Sequence, residues 1–170
     1  QYSIMFTALE IGSKEAHVGA VFQFMALGAV FGAIFGMLSL MEARTGTLKS
    51  RVFYGLERSN RGLSMPFLVF CLLGMALPFS MAFVGEDILF HAIIEHYPIL
   101  GIGVLVSAAF NGINLYRLQA TMFGGENAEF SAIKVAFKRR HRVALGLLAI
   151  FVMGMGLWPK ALLHTLAHLN

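Results

Sequence analysis

The sequence predicts an all-α polytopic membrane protein of about four transmembrane helices after a truncated first one, with one spanning helix broken at Pro78. Three observations predict it. Of the 170 residues, 58% are hydrophobic and 13% are charged, where a soluble domain carries about 25% charged residues; the mean hydropathy is +0.73. The apolar residues fall into runs of membrane-spanning length separated by charged stretches. Within one such run, Ala76 to Leu89, stand Pro78, Gly85, Glu86 and Asp87, each costly in a hydrocarbon setting. This composition excludes a soluble enzyme, and the formal net charge of +4 is read from the positions of the charges, without a nucleic-acid partner. The single cysteine, Cys71, lies in an apolar run and is expected to pack as a small hydrophobe.

Residues 1–12 open with Tyr2 to Ile11, short and apolar with Glu10 near its end, which reads as a partial helix before the polar break Gly12-Ser13-Lys14-Glu15. No basic leader precedes it, and a C-terminal fragment of a longer polypeptide is the expectation. Val18 to Met41 runs without a charge, long enough at 1.5 Å per residue to cross a core of about 30 Å. Gly28, Gly32 and Gly36 recur every fourth residue in it, a ridge on which a neighbouring helix could pack closely. A polar loop, Glu42 to Ser64, follows. The segment 65–96 contains Pro78, which removes a helical donor and clashes with the preceding turn. Two half-helices are expected, Met65 to Leu77 and Ala82 to Glu95, with a bend at Pro78 to Met81. His96-Tyr97-Pro98 reads as a tight turn.

The third span, 99–118, places Ser107, Asn111 and Asn114 at i, i+4 and i+7, on one helical face. Over 126–142, Phe130, Ile133 and Phe137 recur at near-helical spacing ahead of the cluster Lys138-Arg139-Arg140-His141-Arg142. An amphipathic helix on the membrane surface is expected there, its basic end near anionic headgroups. The last span, 143–158, is apolar and glycine-bearing, with Trp158-Pro159 as its interfacial end. Five basic residues lie in loop 42–64 and six between Arg117 and Arg142, so eleven of the thirteen Lys and Arg share one side. The positive-inside rule makes loops 42–64 and 119–142 cytoplasmic.

A carboxylate at bilayer depth must be paired, hydrated or protonated, because desolvation penalises its charged form. Glu86 is therefore expected to exchange protons within the membrane. The alternative is that Glu86 and Asp87 only cap a new helix at an interface. Asp87 can reach His91 at i+4 and serve as its structural partner. Helix breaks near the midplane mark ion sites in transporters, although proline also simply kinks membrane helices. Ser107, Asn111 and Asn114 act either as hydrogen-bonding glue between helices or by ordering water beside Glu86. His17, His91 and His96 sit near helix ends, and His164 and His168 share a face at i, i+4 without a third ligand. No nucleophile motif, phosphate loop, dinucleotide fingerprint or metal-ligand spacing is present. No catalytic residue, cofactor or metal is expected in this chain.

Met65-Pro66, the apolar run into Leu77-Pro78, and Ala82-Phe83-Val84-Gly85-Glu86 together resemble the broken late helix of the antiporter-like membrane subunits of respiratory complex I. Arg44-Thr45-Gly46-Thr47 is similar to the basic loop before that helix, Met122-Phe123-Gly124 to the ending of the next, and Gly156-Leu157-Trp158-Pro159 to that of the last. The likeness runs through nearly the whole chain in order. It implies the C-terminal helices of a channel-like subunit related to cation/proton antiporters, with Glu86 as the ion-relay residue and Asp87 as its neighbour. Phe79 and Ala82 stand where the family pattern has glycine. Leu27 and Phe31 stand where members carry histidine and lysine on the preceding helix.

The expected function is proton or sodium translocation within a complex-I-like assembly, a subunit of a quinone-reducing oxidoreductase. Glu86 and Asp87 are the relay residues, and Pro78, His91, Ser107, Asn111 and Asn114 support them. The expected partners are other membrane subunits and the lipid bilayer, in a bacterial or archaeal inner membrane. The alternatives are a non-pumping structural subunit, motivated by Leu27 and Phe31, and a membrane partner in energy-coupled inorganic-carbon uptake.

Overall fold

The computed structural model of the protein describes residues 2–46, 48–49, 52–127, 129–130 and 132–158. They form six α-helices: α1 (Tyr2–Ile11), α2 (Lys14–Thr45), α3 (Arg61–Gly74), α4 (Met81–His96), α5 (Pro98–Phe123) and α6 (Arg139–Leu157). No strand occurs among the described residues. Thr47, Arg51, Pro159, His164 and His168, which carry parts of the expectations above, lie outside them.

Three of these helices, α2, α5 and α6, are long and apolar enough to cross a membrane. The shorter α3 and α4 are the two halves of the broken segment. Helices α2, α4 and α5 overrun at both ends the apolar stretches that predict them, and for α2 the capping groups lie in the polar flanks. The Ser13 hydroxyl accepts the Ala16 N–H at 3.1 Å and starts α2 four residues before Val18. At the other end Gly46, at φ 77°, donates its N–H to the Glu42 carbonyl at 2.9 Å. Pro66 sits inside α3 as its sixth residue, past the first turn, so the Gly62 carbonyl goes without the intrahelical donor that another residue would supply.

Helix α2 is the central pillar: α1, α3 and α4 all pack on it, α4 most extensively. Phe22, Ala26, Val30 and Ile34 of α2 join Phe67, Phe70 and Leu73 of α3 and Met81 of α4 in one buried cluster. Cys71 is buried in the same cluster. Among the described residues no helix packs closely on the ridge Gly28-Gly32-Gly36. A side-chain carbon at any of the three would meet nothing within 4 Å, because the larger residues of the opposite face are the ones turned to the core. The close approaches fall instead at Gly19, Gly74, Gly85 and Gly156.

A correction concerns 126–142. The amphipathic helix expected there is not formed: the described residues between Glu126 and Lys138 are turns and irregular chain, and Arg139 to Arg142 are the first turn of α6. The reason is a competing set of long-range bonds with the loop before α3. Asn60 is buried, donates from Nδ2 to the Ile133 carbonyl at 2.8 Å and accepts the Val135 N–H at 2.7 Å. Ser59 donates to the same Ile133 carbonyl at 2.9 Å. The Tyr54 and Phe130 rings meet edge to face at 4.9 Å, a geometry aromatic quadrupoles favour. The loop also closes the end of α5, where Tyr54 and Leu56 donate backbone N–H groups to the carbonyls of Thr121 and Met122 at 2.9 and 3.2 Å. Those are carbonyls that a helix end leaves without internal partners. The described parts of the two basic loops thus form one cap with Tyr54 and Leu56 inside it.

Candidate functional site

The break between α3 and α4 is built from local rules that reach beyond Pro78. Helix α3 stops at Gly74, three residues before the expected Leu77, through two bonds: Leu77 N–H to the Leu72 carbonyl and Ala76 N–H to the Leu73 carbonyl, both 3.2 Å. This is the Schellman arrangement, whose penultimate residue adopts the left-handed conformation. Ala76 does so at φ 57°. Pro78 follows two residues later, where the chain can no longer continue as a helix. Phe79 then takes φ 71°, and Ser80, fully buried, accepts the Phe83 N–H on its hydroxyl at 3.2 Å and starts α4.

Phe79 occupies the position where the sequence comparison expects glycine. It adopts the left-handed backbone all the same, a conformation that glycine takes without strain. The cost is local strain of about 1–2 kcal/mol for a residue carrying Cβ. The strained turn is held by α6: a Cβ on Gly156 would overlap the Phe79 carbonyl oxygen and the backbone of Ser80 and Met81. Only hydrogen at Gly156 lets α6 lie directly on the break.

A helix that stops inside a membrane exposes carbonyls at the end of its first half and N–H groups at the start of its second. Asn111 meets the first need, donating from Nδ2 to the Gly74 carbonyl at 2.7 Å. Of the three polar residues on one face of α5, Asn111 alone bonds to another helix among the described residues; Ser107 is half-buried and Asn114 exposed. The spacing that aligns them is present, and the break selects one.

Glu86 follows the break by one and a half turns of α4. It is half-buried, and its Oε1 is shielded from the exterior. Next to it, Gly85 lies against α2 so closely that a Cβ there would come within 2.9 Å of Gln23 Oε1 and 2.8 Å of Gln23 N. Gln23 is 1% exposed. A buried amide on α2 therefore packs directly against Gly85, the residue that precedes the partly buried carboxylate on α4. Sequence reasoning did not assign Gln23 a role, although it is the most polar side chain in the run Val18 to Met41. Leu27 and Phe31, one and two turns further along α2, are respectively buried and half-buried in apolar surroundings.

Asp87 points elsewhere. Its side chain is 55% exposed and its Oδ1 lies 3.6 Å from His91 Nδ1; the same ring nitrogen is 2.8 Å from the Asp87 carbonyl. The adjacent carboxylates are thus separated by environment, one turned inward and one outward. Among the described residues no group of three or more His, Cys, Asp or Glu converges as a metal site.

Comparison with known proteins adds four findings. A family model described as NADH:quinone oxidoreductase/Mrp antiporter, TM, matches residues 1–111. The NADH-ubiquinone oxidoreductase chain 4 of Metridium senile is 28% identical over 153 residues, 88% of this chain and 30% of that protein. The NADH-quinone oxidoreductase subunit M of Escherichia coli (strain K12) is 23% identical over 160 residues, 93% of this chain and 31% of that protein. Among solved structures, a chain of respiratory complex I from Thermus thermophilus with bound NADH superposes with a TM-score of 0.81 at 24% identity, over 96% of this chain and 35% of that one. The last likeness shows the shared fold. The chain spans about a third of the length of the relatives it matches.

Proposed function

From the premise that this chain belongs to the NADH:quinone oxidoreductase/Mrp antiporter transmembrane family, we propose that it carries protons, or sodium ions, through the membrane part of a multisubunit complex-I-like assembly. Glu86 is the relay carboxylate. The observation that carries this reading is the helix break at residues 75–80, followed by a carboxylate with one oxygen shielded inside the protein. The end of α3 carries partial negative charge and the start of α4 partial positive charge. Discontinuous helices of this kind present their ends to ions and water.

In this scheme Pro78 keeps the break open, Asn111 fixes the end of α3, and Gly156 lets α6 hold the turn. Gln23 supplies an amide beside the carboxylate, which accepts a proton from one side and returns it to the other. Asp87 and His91 form an outward pair that hands protons to or from that route. Loops 42–64 and 119–142 lie on the cytoplasmic side, following their basic residues. Other membrane subunits of the assembly and the lipid bilayer cover the exposed faces of α5 and α6.

A second reading is a structural subunit that keeps this fold without pumping. The apolar, packed surroundings of Leu27 and Phe31 favour it, since no titratable side chain stands at those places on α2. Substitution of Glu86 in the assembled complex separates the two. Proton translocation is expected to be lost in Glu86→Gln and retained in part in Glu86→Asp; full translocation in Glu86→Gln overturns the relay and leaves the structural reading.

A further inference from the structure

Away from the break, a cavity of about 490 Å³ opens between the last turns of α2 and α5, lined by Leu38, Lys49, Asn114, Arg117, Leu118 and Thr121, among others. Its position is marked by charge. Arg117 is the first charged residue after the uncharged run Pro98 to Tyr116, and the opposite wall lies beside the point where α2 passes into Glu42 and Arg44. The cavity therefore sits at the boundary between hydrocarbon and headgroups.

The lining contains two cations and no carboxylate. Among the described residues neither Lys49 nor Arg117 takes part in an ion pair. The walls are held in place. Tyr54 accepts the Lys49 backbone N–H on its hydroxyl at 2.6 Å, and its own N–H donates to the Thr121 carbonyl at 2.9 Å. One buried tyrosine thus ties the Lys49 wall to the α5 wall. Below the cavity, Val106, Phe110 and Ile113 of α5 are exposed and run at helical spacing into Asn114 and Arg117. A polar, cationic recess thereby continues into an apolar stripe directed toward the membrane interior.

We propose that this cavity binds the headgroup of an anionic phospholipid. Arg117 and Lys49 meet the phosphate, Arg117 able to do so through two parallel N–H bonds. Asn114 and Thr121 offer an amide and a hydroxyl to the glycerol oxygens, and the acyl chains lie along Val106, Phe110 and Ile113. Basic recesses between spanning helices recognise anionic headgroups through these forces. An acidic protein segment would match the two cations, but it has no use for the apolar stripe.

The test uses the full-length subunit in detergent micelles, titrated with chain-labelled phosphatidylglycerol or with phosphatidylcholine. The natural sequence is expected to prefer phosphatidylglycerol. Lys49→Gln with Arg117→Gln should lose about 30-fold in that affinity, while Lys49→Arg with Arg117→Lys should retain it. Arg44→Gln with Arg58→Gln, an equal loss of charge outside the cavity, should retain it too. Unchanged binding in the first pair overturns the proposal, as does an equal loss in the Arg44 and Arg58 pair. Displacement of the labelled lipid by millimolar inorganic phosphate overturns it in favour of a soluble anion. Displacement by an acidic peptide of a neighbouring subunit, with no preference between the two lipids, overturns it in favour of a protein partner.

Discussion

Adding one methyl group at Gly156 probes whether α6 holds the broken helix. A Cβ there would meet the Phe79 carbonyl oxygen, the Ser80 carbonyl carbon and the Met81 nitrogen, all backbone atoms that cannot rotate away. Overpacking of this kind costs about 1–3 kcal/mol or more. Gly154, two residues earlier on α6, has nothing within 4 Å of the same position. Both substitutions share the gain of replacing a helical glycine with alanine, about 0.5–1 kcal/mol. The pair therefore cancels that term. Gly154→Ala is expected to be neutral or stabilising and Gly156→Ala to lie about 1–3 kcal/mol below it. For a chain of this size that corresponds to a lower unfolding midpoint by roughly 3–10 °C. The assay is thermal unfolding of the two variants in one detergent. Equal midpoints would show that α6 does not bear on the break, and the account of the turn at Phe79 would fail with it.

Phe79→Gly should relieve about 1–2 kcal/mol of left-handed strain against about 0.4–1 kcal/mol of added freedom in the unfolded chain. The net effect is a small stabilisation, visible as a raised midpoint, while Phe79→Ala should show none; a lower midpoint for Phe79→Gly contradicts the strain. Asn111→Leu leaves the Gly74 carbonyl without its partner and should destabilise by about 1–3 kcal/mol. Asn114→Leu, on the same face without an interhelical bond, should cost little in the same unfolding assay, and equal losses would refute the special place of Asn111.

The helical class, the spans and the interrupted segment were legible because membrane insertion imposes long apolar runs and because Pro78 punctuates one of them. Where the break begins was less visible. It depends on Ala76 and Phe79 adopting a conformation that glycine usually signals, so the marker residue was missing although the geometry was there. The loop docking was hidden for another reason: Asn60 pairs with Ile133 and Val135, more than seventy residues away, and local periodicity around Phe130 and Phe137 carries no trace of such a partner. The Gly28-Gly32-Gly36 spacing shows the converse. A regular stripe says that a face is smooth, and only the packing of Val30, Ile34 and Met37 decides which face is buried. At the site itself, the cost of Glu86 and Asp87 in an apolar run drew attention to the right stretch. Their opposite environments, and the presence of Gln23 across Gly85, required the α2–α4 contact.

The central claim is that Glu86 takes up and gives back a proton while the assembly works. Difference infrared spectroscopy of the intact assembly during turnover reads this at the carboxyl group itself. The account predicts a protonated-carboxyl band that rises and falls with turnover and is missing in Glu86→Gln. Identical difference bands in the natural protein and Glu86→Gln would contradict it.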